Sequence, residues 1–285
     1  MTKGIRPRRS ILYMPGSNAR ALEKGRTLPA DGLILDLEDA VAPVNRAAAR
    51  ESLVAQPLDP ARTIVRINPV GTDDHELDLQ ALRRTGYRCV MLAKAETGDQ
   101  IRQVHLAIGA AVLALVETPF GTLNAAAIAA ADGCAGLMWG AEDLLAAMGG
   151  STSRFTAAEA APGRNPGGYR DVPRLARASV ALAAAAHGRW AVDAVHLDIA
   201  DTEGLRAEAV DAIALGFAAT ACIHPSQVAV VRDAYAPTEA DLVWARKVLA
   251  AAKDNPAVFS LDGRMVDGPV FRQAEATLRR AGEVG

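Results

Sequence analysis

Short apolar runs recur along this chain at intervals long enough to hold one helix each: Ser10–Tyr13, Leu33–Leu37, Thr63–Ile67, Cys89–Leu92, Ala111–Val116, Gly136–Trp139, Ala191–Val195 and Thr220–Ile223. Dominated by Ile, Val and Leu, they read as inner strands of a parallel sheet covered on both faces. Between them, Ala19–Leu28, Asn45–Leu53, Asp78–Arg84, Gly98–Ile108 and Glu203–Leu215 carry helical patterns. Strand and helix alternating eight times predicts an α/β chain folded as a (β/α)8 TIM barrel, with its site at the carboxyl ends of the strands. A doubly wound open sheet is the competing architecture.

Two stretches break the rhythm. More than fifty residues separate the sixth and seventh runs, and within them Gly149–Arg170 is rich in Gly, Ser and Pro. It reads as a long loop of little order, either a lid or a tolerated insertion. From Pro237 onward, helical patterns at Thr238–Ala252 and Val270–Ala281 flank Leu261-Asp262-Gly263-Arg264-Met265-Val266-Asp267-Gly268-Pro269. The expected organisation is a barrel domain over 1–236 and a C-terminal helical extension over 237–285.

Composition narrows the class. Half of the 285 residues are apolar and only 4% aromatic, enough for a sizeable core. A formal charge of −2 offers no large field for nucleic acid or a membrane surface. Cys89, Cys134 and Cys222 stand alone in apolar surroundings, which excludes a disulfide framework and a zinc knuckle and fits a reducing cytoplasm. The basic start (Lys3, Arg6, Arg8, Arg9) leads into an apolar stretch that Pro15 cuts too short for a signal peptide. The longest apolar run, Leu106–Val116, falls short of the ~20 residues a membrane span needs.

The chemistry gathers at the ends of the runs. The second closes on Asp36, Glu38 and Asp39, carboxylates that a cation or a proton-transfer step could use. The third contains Arg66 followed by Asn68, the fourth is followed by Lys94, the fifth by Glu117 and the sixth by Glu142 and Asp143. Glu117 and Asp143 follow neighbouring inner strands, and two hard oxygen ligands suit Mg2+, with Mn2+ as a substitute, leaving positions for water and substrate. The bland alternative for Glu117 is a salt bridge to a barrel lysine or arginine. His105, His187 and His196 lack paired ligand spacing and read as surface or packing residues. Arg66 needs an anionic partner, either a substrate carboxylate held bidentately or Asp36 or Glu38 across the mouth. Gly140-Ala141, at a strand-to-helix turn, could offer backbone amides to a carboxylate. Lys94 could form a Schiff base with a keto substrate, but the surrounding carboxylates favour a charged lysine in an ion pair. No Ser/His/Asp elbow, Walker loop or dinucleotide glycine fingerprint is present.

Taken in order, Arg9-Ser10-Ile11-Leu12-Tyr13-Met14-Pro15-Gly16, Asp36-Leu37-Glu38-Asp39-Ala40-Val41, Arg66-Ile67-Asn68, Glu117-Thr118-Pro119, Glu142-Asp143-Leu144 and Ile223-His224-Pro225-Ser226-Gln227 resemble the citrate lyase β-subunit-like branch of the HpcH/HpaI aldolases over about the whole chain. The resemblance implies a (β/α)8 barrel with Mg2+ on Glu117 and Asp143, and Arg66 and Glu117 at the acidic end of the substrate. The implied reaction is reversible carbon–carbon cleavage of a 3-hydroxyacyl-CoA to an acyl-CoA and a 2-oxo acid. Asp36, Glu38 and Asp39 then become a supporting shell, with Glu38 its member closest to catalysis. Arg264–Pro269 looks like the segment that, in malyl-CoA lyase-like members, brings an aspartate into a neighbouring subunit's site. On that likeness Asp267 is the general acid/base of a homo-oligomer, commonly a trimer, and the tail favours stand-alone enzymes over subunits of a citrate lyase complex. Ala219-Thr220 in place of a frequent Gly-Lys pair, and Ala93 in place of a proline, depart from the family pattern. A CoA-free metal aldolase, a malyl-CoA-type thioesterase and a non-catalytic acyl-CoA-binding or complex subunit are the rival functions.

Overall fold

The computed structural model describes residues 9–253 and 257–283, so Lys3, Arg6 and Arg8 lie outside the described residues. The chain divides into two compact units, one ending at Val231 and one beginning at Arg232. In the first, eight parallel strands alternate with helices: β1 (Arg9–Pro15), α1 (Ala19–Gly25), β2 (Gly32–Asp36), α2 (Arg46–Ala55), β3 (Thr63–Ile67), α3 (Asp73–Leu82), β4 (Cys89–Leu92), α4 (Gly98–Ile108) and β5 (Ala111–Val116). There follow α5 (Pro119–Leu123), α6 (Ala125–Ala130), β6 (Cys134–Trp139), α7 (Ala141–Ala147), α8 (Asp171–Ala186), β7 (Trp190–Asp193), α9 (Thr202–Ala214), β8 (Ala219–Cys222) and α10 (Pro225–Tyr235), which runs past the division. Each strand pairs with the next, and β1 pairs with β8 through Ile11 opposite Ala221, closing a TIM barrel. That closure rules out the open doubly wound sheet.

The strand runs predicted from the apolar pattern match the observed strands to within about two residues at each end. The starts of the five inter-strand helices agree to within one residue except for the third. The third helix begins at Asp73 rather than Asp78 because the Thr72 side chain accepts the His75 N–H, with three acidic residues in the first turn. The helix after β4 begins where expected, because Thr97 and Gln100 form a reciprocal capping box.

Inside the barrel, Ile11, Ile34, Ile64, Met91, Leu113, Leu115, Met138, Val192 and Ala221 pack as one cluster, with Tyr13 and Val195 against it. Alternate residues along a strand share a face. Asp36, Arg66 and Glu117 each lie two residues beyond an interior member (Ile34, Ile64, Leu115), so the alternation that fills the core also carries these charges to its upper edge.

The 149–170 segment has more order than its composition suggested. Arg154 pairs with Tyr169 and Ala161 with Arg164 in isolated antiparallel bridges, and Thr156 and Glu159 cap a single helical turn. The Arg154 guanidinium lies 3.8 Å over the Tyr169 ring, and that ring meets Trp139 edge-on at 5.0 Å. Gly and Pro set its turns, while two aromatic rings and one arginine anchor it.

The second unit contains α11 (Glu239–Ala252), the hairpin of β9 (Phe259–Leu261) and β10 (Arg264–Val266), and α12 (Gly268–Ala281). Its core is Ala245, Val248, Val266, Ala274 and Leu278, with Phe259 stacked on Phe271. Asp262 (φ 50°) and Gly263 (φ 76°) make the hairpin turn, a conformation that an Asp-Gly pair adopts readily. Among the described residues, no helix is long and apolar enough to cross a membrane.

Ile64 is 1% exposed and belongs to the apolar cluster inside the barrel. Replacing it with alanine is expected to cost about 2–5 kcal/mol, read as a lower urea midpoint at unchanged slope. A loss below about 1 kcal/mol would show that the interior collapses around the missing side chain.

Candidate active site

The barrel mouth opens into a cavity of about 350 Å3, lined among others by Tyr13, Asp36, Arg66, Glu117, Gly140 and Asp143. Its floor is apolar, from Leu115, Met138, Ala194, Val195 and Ile223. The rim carries the charge.

Asp36 is fully buried at the end of β2. Its carboxylate accepts Arg66 Nε at 2.7 Å and Nη2 at 2.5 Å, and also the backbone N–H groups of Glu38 (3.0 Å) and Ala40 (2.9 Å). Arg66 Nη1 lies 3.1 Å from Glu38 Oε2, and the guanidinium carbon sits 5.1 Å from the Tyr13 ring centre. Of the five guanidinium N–H groups, two are hydrogen-bonded to Asp36, while Nη1 faces Glu38 as an ion pair without hydrogen-bond alignment. Burial works against the Arg66 charge, but its bonds to Asp36 raise the pKa above the ordinary arginine value. Arg66 therefore pairs with Asp36 and Glu38, and it keeps donors for a ligand.

Lys94, directly after β4, adopts φ 50°, and in this left-handed conformation its N–H donates to Glu117 Oε1 at 3.0 Å. Its ammonium lies 2.6 Å from Glu38 Oε1, 3.4 Å from Asp39 Oδ2, 3.4 Å from Asp143 Oδ1 and 4.0 Å from Glu117 Oε1. Burial lowers the Lys94 pKa, but the Glu38 hydrogen bond and neighbouring carboxylates raise it further, so it stays charged. The ion-pair reading of Lys94 fits this geometry better than a Schiff-base amine. Burial pushes Glu38 above the usual carboxylate range against the pull of Arg66 and Lys94. Burial opposes the Asp39 charge as well, yet Lys94 and the Glu38 contact hold its carboxyl low.

Glu117 is 3% exposed, and burial followed by the Asp143 charge pushes its pKa up to about 8. Gly140 makes room for it, since a Cβ at that position would stand 2.9 Å from Glu117 Oε2. The Gly140 N–H is taken by Val116 O at 3.1 Å, so the expected amide cradle narrows to Ala141, the first residue of α7. Six carboxylates (Asp36, Glu38, Asp39, Glu117, Glu142, Asp143) thus face two cations, Arg66 and Lys94. A carboxylate pair, one member buried and one open to the cavity, fits a hard divalent ion. Among the described residues no group of three or more His, Cys, Asp or Glu is arranged to hold a metal ion by itself, so an ion on Glu117 and Asp143 would take its other oxygens from water or substrate.

Several motif residues are scaffolding. The Asn68 side chain donates to Leu37 O and Asp78, tying the β2 and β3 loops. Thr118 caps α5 and donates to Glu96. Gln227 accepts the Ile223 and His224 N–H groups and donates to His196 O, while His224 itself is exposed. Asp267 lies in the second unit as the N-cap of α12, accepting the Val270 N–H at 3.4 Å. The sequence reading missed Tyr13, whose buried hydroxyl finds only Met91 and Met138 sulfur, at 3.3 and 3.8 Å. Its place two residues after Ile11 was the available signal. His196 is buried, as a packing residue should be, but it also pairs with Glu208.

Comparison with known proteins accords with this geometry. The model of the HpcH/HpaI aldolase/citrate lyase family matches residues 9–225, and one described as a C–C bond lyase of the TIM-barrel fold matches 175–285. A citrate lyase subunit beta-like protein of Mycobacterium tuberculosis is 52% identical over 95% of both chains. The citrate lyase subunit beta of Escherichia coli is 33% identical over 97% of this chain and 94% of its own. A (3S)-malyl-CoA thioesterase of Cereibacter sphaeroides is 33% identical over 99% and 97%. The crystal structure of protein CitE from M. tuberculosis in complex with magnesium, acetoacetate and coenzyme A superposes with TM-score 0.88 at 50% identity, over 97% of this chain and 99% of that one. The E. coli likeness runs into the C-terminal extension, so the extension does not by itself separate stand-alone enzymes from complex subunits.

His196 follows Ala194 and Val195 of the cavity wall, and its ring turns away to Glu208. Nδ1 lies 2.9 Å from Glu208 Oε2, Nε2 lies 3.2 Å from Asp201 without hydrogen-bond alignment, and Arg154 also pairs with Glu208. The Glu208 hydrogen bond raises the His196 pKa above 6.5. Its stabilisation is therefore full below 6.5 and fades as pH rises through the raised folded value. Thermal melts should show wild type exceeding His196→Gln most at mildly acidic pH, with the gap closing in alkali; parallel profiles would disprove the pairing.

Proposed function

The chain belongs to the HpcH/HpaI aldolase/citrate lyase family, and on that premise we propose that it is a magnesium-dependent carbon–carbon lyase. It cleaves, or in reverse forms, a 3-hydroxyacyl-CoA such as malyl-, citramalyl- or citryl-CoA, releasing an acyl-CoA and a 2-oxo acid by a retro-Claisen route. The observation that carries this reading is the Glu117–Asp143 pair, which shares one ammonium with two further carboxylates and lies at the mouth beside an arginine with N–H groups to spare. The M. tuberculosis structure holding magnesium, acetoacetate and coenzyme A supports both the metal and the CoA substrate here.

Glu117 and Asp143 would hold the ion, and when bound it supplies Lewis acidity that draws charge onto the oxygens of the 2-oxo acid product. Arg66 binds the substrate at its acidic end through terminal N–H groups that Asp36 leaves free, its plane fixed by Asp36. The Ala141 amide offers one further donor to the substrate carboxylate. Glu38 holds Arg66 and Lys94 in place, a positioning role suited to a carboxylate whose oxygens are already engaged. The hydroxyl proton passes to a mouth carboxylate, the carbinol carbon becomes the carbonyl, and the bond to the thioester α-carbon breaks. Its electron pair stays on that carbon as the thioester enolate, which Arg66 stabilises and Asp267 protonates. In condensation Asp267 removes the same proton. Asp267 acts from a neighbouring copy, which makes the active unit a homo-oligomer, a trimer in this proposal, with 237–285 completing the partner's site. Three buried, unpaired thiols suit work in a reducing cytoplasm.

A second reading, hydrolysis of a malyl-CoA-type thioester, draws on the likeness to the C. sphaeroides thioesterase. Supplied with malyl-CoA and Mg2+, the lyase should release acetyl-CoA and glyoxylate without free thiol, and EDTA should abolish turnover. Free CoA with malate would establish the hydrolase. Turnover that survives EDTA, together with substrate locked onto Lys94 by borohydride, would refute the metal mechanism.

Complementation tests the shared site. Inactive Asp267→Ala and Glu117→Ala proteins, mixed under conditions of demonstrated subunit exchange, should recover part of the activity through hybrid sites. No recovery would assign Asp267 to its own subunit or to the turn alone.

A further inference from the structure

Lys94 is held by its backbone and over-subscribed at its tip. The Ala93 N–H donates to Ile67 O, the Lys94 N–H to Glu117 and the Ala95 N–H to Leu115 O, so the left-handed residue is fastened on both sides. The side chain then reaches four carboxylates within 4.0 Å, although an ammonium has three N–H groups. Its shortest contact is with Glu38, at 2.6 Å, shorter than either contact to Glu117 or Asp143.

Resting on the proposal that Glu117 and Asp143 hold a divalent ion, we infer that Lys94 is a displaceable counter-cation. It neutralises that pair in the metal-free protein and yields to the metal by withdrawing onto Glu38 and Asp39. The distances require such an exchange. A magnesium-sized ion sits about 2.0–2.1 Å from each ligand oxygen, while Nζ already stands 3.4 Å from Asp143 Oδ1 and 4.0 Å from Glu117 Oε1. Two cations at those oxygens repel each other, and more strongly because Glu117 is buried. Glu38 and Asp39 can receive the ammonium in full, because both already contact it and Glu38 keeps its second oxygen for Arg66. Metal binding is thereby coupled to a local swing of charge, and the site stays occupied by positive charge in both states. The cost is weaker metal affinity than the same two carboxylates would show without the lysine.

The test is Mn2+ binding to EDTA-stripped protein, followed by electron paramagnetic resonance of the free ion, for wild type, Lys94→Met, Lys94→Gly and Glu117→Gln. Glycine suits the positive φ of this position, so Lys94→Gly removes the ammonium while keeping the backbone that orients Glu117. Both lysine variants should bind Mn2+ about tenfold more tightly than wild type, and without metal both should melt below wild type. A gain in affinity cannot come from misfolding. Mn2+ affinity that is unchanged or weaker in both variants, with wild type binding normally, overturns the counter-cation role alone. Equal affinity in wild type and Glu117→Gln removes the metal reading itself, and this inference with it.

Discussion

The site is organised by one buried ion pair, Asp36 with Arg66. Asp36 accepts from four donors, two on the guanidinium and two on the backbone of the turn that follows β2. Removing two charges from water is expensive, and such a pair persists because every oxygen and nitrogen it buries is bonded; breaking one partner typically costs about 3–5 kcal/mol. Its contribution here is geometric before it is energetic. By curling the chain from Glu38 to Ala40 around its carboxylate, Asp36 fixes the Glu38 side chain against both Arg66 and Lys94. The same bonds fix the plane of Arg66 over Tyr13 and thus decide which of its N–H groups face the cavity.

A barrel makes such an arrangement reproducible along different strands. The two-residue period that buries Ile34, Ile64 and Leu115 inside also delivers Asp36, Arg66 and Glu117 one step higher, at the rim. Neighbouring strands hold these groups at fixed spacing, so their placement depends on backbone hydrogen bonds rather than on long flexible loops. Gly140 follows the same logic at the end of β6, where the absence of a Cβ leaves the space that Glu117 fills. Loop residues that look chemical in the sequence, Asn68, Thr118 and Gln227, instead bind the turns to one another. They hold the rim in shape.

This division explains what the sequence disclosed. Strands were legible because fully buried runs of Val, Ile and Leu between helix-length intervals leave little choice of structure, and the charged residues after them marked the mouth. One helix start was not legible, because the Thr72 side chain caps α3 five residues ahead of the apolar pattern, whereas the capping box of Thr97 and Gln100 starts α4 where the pattern does. The 149–170 segment misled by composition: Gly and Pro announce turns, but Arg154, Tyr169 and Trp139 pin it, and nothing in the local pattern says that they meet. For the site, Glu117, Asp143, Arg66 and Lys94 could be named individually. The partition of Arg66 between Asp36, Glu38 and an incoming ligand could not, because it depends on distances across three strands. The Tyr13 hydroxyl, ending on two methionine sulfurs, falls outside any residue-type rule.

Charge and volume together constrain the substrate. On the proposed reading, the cavity of about 350 Å3 receives the reacting acid fragment of the thioester. That fragment bears a carboxylate, and the rim it must enter already carries six carboxyl groups against the two cations Arg66 and Lys94. An acid entering this field without further positive charge would meet net repulsion in a region where water screens poorly. On the proposed reading, a divalent ion turns the mouth from a barrier into an anion site, so metal must be bound before the acid can be. Arg66 alone cannot do this, because Asp36 and Glu38 already consume its charge. The buried pair that shapes the mouth is therefore also the reason that the mouth depends on an added cation.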